Sequence, residues 1–268
     1  MDREIQGSDA TLPSLGVPYE GRIPGGKVVV SPMTTREEKM LASGGPDSGL
    51  SLIDNLIKNC VHGPEDMSPD DYLVGDRMFL MMAIRSVSFG DEYEFTVNCA
   101  SCKQPFRSTV MLPDDVEMIH LKEGFQEPFE VELPMSKLVL GLRLLRGKDE
   151  KDMARQQKRV YKRVDASKSG DPMYTYRMLK HIEYVKVPGE EEPIETSDQI
   201  GYDKVEKIFN ELVVRDSMAL RNALSENDCG VNTFQEFSCP QCRDVFTAPL
   251  PVDIEFFRPG GDRGIRYL

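Results

Sequence analysis

Two short stretches hold the residues best suited to metal chemistry. Cys99-Ala-Ser-Cys102 and Cys239-Pro-Gln-Cys242 share the Cys-x-x-Cys spacing and also their flanks. An apolar residue stands two positions before the first Cys (Val97, Phe237), a basic residue directly follows the second (Lys103, Arg243), and a Phe comes four after it (Phe106, Phe246). A lone pair of this kind can be a redox motif, but two with matched flanks are better explained by joint coordination of one ion. Four thiolates in tetrahedral arrangement suit zinc, and a closed four-sulfur shell leaves no position for an activated water. The expectation is a structural Zn2+ on Cys99, Cys102, Cys239 and Cys242, with no catalytic role.

To present two thiols from one side, each stretch must fold as strand, knuckle, strand, giving a first hairpin with strands near 92–98 and 106–112 and a second entered near Gln235. Cys239 lies 137 positions beyond Cys102, whereas a compact ribbon has roughly 15 to 20 residues between its knuckles. The pattern therefore predicts an α+β protein: an N-terminal helical region plus a zinc-ribbon-like β unit split by a large α/β insertion. The expected boundaries are an extended arm over 1–27, a strand and helical region over 28–90, a split ribbon over 91–112 and 231–257, an inserted region over 113–230, and a tail over 258–268.

Within those limits, periodicity and capping signals place the elements. The arm is rich in Gly and Pro, and Leu12, Leu15, Val17, Tyr19 and Ile23 form a row of anchors suited to a partner surface. Val28–Val30 reads as a strand. Thr34 or Thr35 followed by Glu37 and Glu38 is a capping-box pattern that opens a helix, stopped by Gly44-Gly45-Pro46. Leu52, Ile53, Leu56, Ile57 and Cys60 share one face of a second helix. Ser68-Pro69-Asp70-Asp71 opens a third that continues through the apolar run Met78–Ile84 to Val87. The insertion holds strands around 129–133 and 138–145, a charged helix from Asp149 to Val164 with an inward stripe at Met153, Gln157, Val160 and Val164, a turn at 169–172, a strand over 181–187, and a helix from Tyr202 to Leu224 kinked near Val213-Val214. Phe256 and Phe257 close an apolar docking segment, after which the basic, glycine-rich end is expected to be mobile or ordered by a partner.

The totals narrow the function class. A formal net charge of -12 over 268 residues repels phosphate backbones, so nucleic acid is not an expected partner. No run of 18 apolar residues and no secretory leader pattern is present, so no membrane span is expected. Cys60 reads as a small buried hydrophobe and Cys229 as a turn residue, neither with the basic neighbours that activate a thiol. His62, His120 and His181 lack ligand spacing. No nucleophile elbow, phosphate loop or metalloprotease helix occurs, and an enzyme is not expected. The basic stretch Arg155, Lys158, Arg159, Lys162 and Arg163 reads as a solvated helix face, with a docking surface for an acidic protein as the sharper reading.

The order of features carries a resemblance. Leu-Pro-Ser-x-Gly-x-x-Tyr near the N-terminus is followed by Ser31-Pro-Met-Thr-Thr-Arg-Glu-Glu-Lys-Met-Leu-Ala42, by Ile53-Asp-Asn-Leu-Ile-Lys-Asn-Cys60, by Asp76 ahead of an apolar helix, by Ile84-Arg85-Ser86 with Ser88-Phe-Gly90-Asp-Glu-Tyr93, and by the first knuckle. Best over residues 11–112, it resembles the T4-family baseplate hub and baseplate hub assembly chaperone proteins of contractile-tailed bacteriophages. The resemblance implies a non-enzymatic role among other phage tail proteins, in a hetero-oligomeric assembly built in the host cytoplasm. The arm and the Phe256-Phe257 segment favour a component retained in the virion. The alternative from another class is a soluble zinc-ribbon adaptor or regulator of host proteins or transcription.

Overall fold

The N-terminal segment folds back on the body. In this computed structural model, which describes residues 7–43, 49–161, 171, 173–252 and 254–257, Ser8–Thr11 (β1) pairs antiparallel with Lys27–Val30 (β2), from Ser8 opposite Val30 to Thr11 opposite Lys27. Between them the chain makes a tight loop that only glycine allows at its closest point. Gly16 has φ of 76°, and a Cβ there would stand 1.9 Å from the Ile23 carbonyl oxygen. β2 pairs in turn with Val61–His62 (β3), completing a three-stranded sheet.

Thr35–Ser43 (α1) starts where the capping pattern places it. The Glu37 carboxylate accepts the Thr34 backbone N–H at 2.9 Å, and Thr34 Oγ1 accepts the Arg36 N–H at 3.3 Å. Gly49–Cys60 (α2) buries Leu52, Leu56, Ile57 and Cys60. Val74–Phe89 (α3) buries every residue from Phe79 to Arg85 and is the central helix of its unit. It begins six residues later than Ser68. The backbone of 70–74 is committed elsewhere: Val74 N–H donates to Leu145, Gly147 N–H to Tyr72 and Lys148 N–H to Asp70, so those groups cannot close a helical turn.

Glu92–Asn98 (β4) and Pro105–Met111 (β5) form the first hairpin, followed by Met118–Ile119 (β6). Next come Phe129–Glu132 (β7), Val139–Leu142 (β8), Gly147–Val160 (α4), Tyr174–Leu179 (α5), Ile182–Lys186 (β9), Ile194–Glu195 (β10), Gln199–Asn210 (α6) and Val214–Glu226 (α7). The chain ends through Gly230–Val231 (β11), the second hairpin of Phe234–Ser238 (β12) and Val245–Pro249 (β13), and a 3-10 turn over Ile254–Phe257. The single long helix expected over 202–224 is two. Val213 adopts an extended conformation, with ψ of 154°, and caps α7, so the Val-Val pair marks a break rather than a kink. The stripe expected on α4 is weak, since Gln157 is exposed and only Gly147 and Asp149 are buried. The helix stop at 44–46, Lys162, Arg163, Val164, most of the turn at 169–172 and the tail 258–268 lie outside the described residues.

The chain separates into two compact units, one of Met1–Pro69, Gly75–His120 and Cys229–Leu268, the other of Asp70–Val74 and Leu121–Asp228. Residues 70–74 thus fall in the second unit, while the expected arm, residues 28–69 and 75–90 of the next region and both hairpins fall in the first. Within it β6 and β11 are antiparallel neighbours, Ile119 opposite Gly230, so the chain returns beside the point at which it left. Gly75 in α3 lets that returning segment approach. A Cβ there would stand 1.8 Å from the Cys229 carbonyl oxygen. The second unit is a four-stranded antiparallel sheet in the order β10-β9-β8-β7. Its core joins Leu133, Leu138, Leu140, Leu142, Ile182 and Val185 to Val205 and Phe209 of α6 and Leu220 and Leu224 of α7. The architecture is mixed α+β with a cysteine cluster at the hairpin tips.

Candidate metal centre and family membership

Both knuckles fold by the same local rules. In the first, Cys99 N–H donates to the Gln104 carbonyl and Lys103 N–H to the Cys99 carbonyl; in the second, Cys239 N–H donates to Asp244 and Arg243 N–H to Cys239. The hairpin registers also match, with Val97 opposite Phe106 and Phe237 opposite Phe246. Strand alternation then points Tyr93, Phe95, Val97 and Phe237 inward. The rings of Phe95 and Phe237 meet edge to face at 5.9 Å, and those of Phe106 and Phe246 at 6.3 Å. The aromatic residues that flank the knuckles hold the two hairpins against each other.

That packing brings the four thiols together. Cys99 Sγ lies 3.6 Å from Cys242 Sγ, Cys102 Sγ lies 3.8 Å from Cys239 Sγ, and all four sulfurs fall within 4.8 Å of one another. A tetrahedral zinc with Zn–S bonds of about 2.3 Å requires sulfurs about 3.8 Å apart, so the donor set fits the ion in number, type and spacing. The first Cys of each knuckle is buried, while Cys102 is half-buried and Cys242 exposed. Backbone N–H groups are already aimed at sulfur. Those of Cys242 and Gln241, with hydrogen bonds from the Cys242 and Cys99 thiols, pull Cys239 down to about 7. Although the Asp244 N–H favours its thiolate, Cys242 is pushed up to about 12 by desolvation and by the neighbouring Cys99, Cys239 and Cys102. Four thiolates at these separations repel one another, so full deprotonation of the cluster calls for a cation at its centre.

The other sequence-predicted residues fall elsewhere. Cys60 and Cys229 are buried, and burial pushes the Cys60 thiol up to about 12. His62 pairs with Ser31 Oγ, His120 with the Pro13 carbonyl and His181 with the Arg143 carbonyl. Of the apolar residues expected to anchor a partner, Leu12, Tyr19, Ile23, Phe256 and Phe257 are buried in their own unit, leaving Leu15 and Val17 exposed. Two buried polar groups account for this. Asp76 accepts the Ser14 N–H at 2.9 Å and the Tyr19 hydroxyl at 2.5 Å, which draws the arm onto α3. The Arg85 guanidinium stacks on Tyr93 at 4.7 Å and Phe256 at 5.5 Å, while Tyr93 donates to the Pro251 carbonyl at 2.7 Å. Sequence reading noted Asp76 and Arg85 without assigning either a role. Their positions in an apolar helix, where a charge needs a specific partner, were the available signal.

With this geometry in place, comparison with known proteins identifies the class. The model of the family described as T4 bacteriophage base plate protein matches residues 16–250. The chain belongs to that family, and is a phage baseplate protein. No curated protein and no solved structure matches it. The match runs from the arm through both hairpins, so both knuckles lie within the family region. Among the described residues no helix is long and apolar enough to cross a membrane.

Proposed function

We propose that this chain is a non-enzymatic structural component of the tail baseplate hub, retained in the finished particle, whose split hairpin unit is closed by one structural zinc. The observation that carries the metal part is the convergence of four cysteines from two equivalent knuckles on one point. Cys99, Cys102, Cys239 and Cys242 would hold the ion. It would supply cross-linking rather than catalysis, because a four-thiolate shell is closed to substrate. Binding energy of such an ion is folding energy, which suits a protein whose two hairpins are far apart in sequence.

Family membership supports the assembly part, with other tail proteins as partners. Leu15 and Val17, exposed where the arm's other apolar anchors are buried, are contact residues in this reading. Quantitative mass spectrometry of purified baseplates tests it: the chain should be present at a small fixed copy number relative to the other baseplate proteins. Its absence from purified particles overturns the structural role and leaves only one in assembly.

A further inference from the structure

Four exposed apolar residues of the second unit lie at or beside the start of α7, apart from Ile200 and Tyr161. Met135, Val213, Val214 and Met218 are 55, 51, 72 and 48 % exposed. Val214 and Met218 lie one turn apart on α7 and so share a face. Met135 is carried to the same helix by Asp216, a buried carboxylate that accepts the N–H of Met135 at 2.8 Å and of Ser136 at 2.9 Å. Arg215 Nη1 lies 3.9 Å from the Met135 sulfur. Beside Val214 the break between α6 and α7 opens a groove of about 340 Å³, with Phe209, Leu212 and Val214 on its apolar side and Asn210, Ser217 and Arg221 on its polar side.

The exposed charge at this face is two arginines, Arg215 and Arg221, against one carboxylate, Glu211, whereas the chain as a whole carries a net charge of -12. Among the described residues neither Arg215 nor Arg221 has a carboxylate partner, and Arg221 donates only to the neutral Tyr174 hydroxyl, at 2.7 Å. Two cations beside a clustered apolar surface, on a chain of net charge -12, complement an acidic and apolar segment. A second copy carries the same excess of negative charge but the same two arginines at this face, so it is the poorer complement. The Asp216 hydrogen bonds fix the hairpin turn to the helix before any partner arrives, which lowers the ordering cost of docking.

We propose that this face docks a segment of another baseplate protein that places an apolar side chain in the groove and carboxylates against Arg215 and Arg221. The inference rests on the baseplate role proposed above. The test is methionine oxidation by hydrogen peroxide, read residue by residue by mass spectrometry, on the purified chain and on isolated baseplates. In the free chain Met135 and Met218 should oxidise comparably to Met111, which is 44 % exposed on β5. In baseplates Met135 and Met218 should oxidise at least about fivefold more slowly than in the free chain, since susceptibility follows exposure.

A baseplate without the chain overturns the baseplate role itself, and with it this inference. A baseplate that contains the chain with Met135 and Met218 as reactive as before overturns the docking face alone. Self-association of the purified chain that protects both methionines and is lost in Met218→Asp makes a second copy the occupant and also overturns it. The charge match has its own readout: Arg215→Glu with Arg221→Glu should leave the native fold intact by circular dichroism and lower incorporation at least about tenfold. Normal incorporation of that variant overturns the acidic partner.

Discussion

Lys103 and Arg243 occupy the same backbone position in the two knuckles, directly after the second Cys, and both are left-handed, with φ of 59° and 61°. A side chain at that position is strained, because Cβ crowds the backbone, and glycine is not. The strain persists at both sites because each residue donates its N–H to the first Cys carbonyl and so closes the knuckle. Lys103→Gly and Arg243→Gly are therefore expected to be neutral or stabilising by up to about 1 kcal/mol, whereas Lys103→Val should destabilise by about 1–2 kcal/mol. Denaturant unfolding of the metal-loaded variants checks both signs.

Asp76 is predicted to latch the arm. Tyr19→Phe removes one donor from a buried carboxylate and should cost about 1–2 kcal/mol. Burial, opposed by the Ser14 and Tyr19 hydrogen bonds, leaves the Asp76 carboxyl above the ordinary Asp value of 3.8. A group raised on folding contributes stability that is fully present below its unfolded value and is lost as pH rises through its folded value. The advantage of the native chain over Asp76→Asn should accordingly shrink as pH is raised from about 4. Paired denaturation curves across that range measure it, and an advantage that grows with pH would remove the latch.

Asp149 in the second unit should behave with the opposite sign. Burial alone would raise its carboxyl, but a bidentate pair with Arg143, at 2.7 and 2.8 Å, and the Arg146 N–H hold it below the ordinary value. Its contribution is present above pH 3.8 and lost as pH falls through its folded value. Asp149→Ala strands the mostly buried Arg143 and should cost about 3 kcal/mol. Hydrogen exchange at the β8 and α4 amides reports this locally.

Asp216→Ala should free the turn at Met135 and Ser136, at a cost of about 1–2 kcal/mol. Faster amide exchange confined to Met135–Lys137 and the first turn of α7 is the expected signature. Unchanged exchange there would mean that the turn is held by other contacts.

The features legible in the sequence were those set by neighbours in the chain. Knuckle spacing, alternation in β4 and β12, and the Thr34–Glu37 cap are local patterns, and the structure has hairpins and a helix at each. What was not legible depends on distant partners. Leu12, Tyr19 and Ile23 look like free anchors in a Gly- and Pro-rich segment, and only Asp76, 57 positions beyond Tyr19, shows why they are buried. The delayed start of α3 follows from pairing of 70–74 with 145–148, and the break at Val213 from a capping geometry that hydrophobic periodicity runs straight across. Cysteine spacing alone left open whether the knuckles meet; the matched Phe pairs that join the hairpins were visible, but their contact was not.

The central claim is that the two knuckles share one ion. Elemental analysis of the purified chain, repeated on Cys239→Ser, tests it most directly. The account predicts about one zinc per native chain, and in the variant an affinity at least about 100-fold weaker even though Cys99 and Cys102 are intact. No zinc, two zinc ions per chain, or undiminished binding in Cys239→Ser would contradict it.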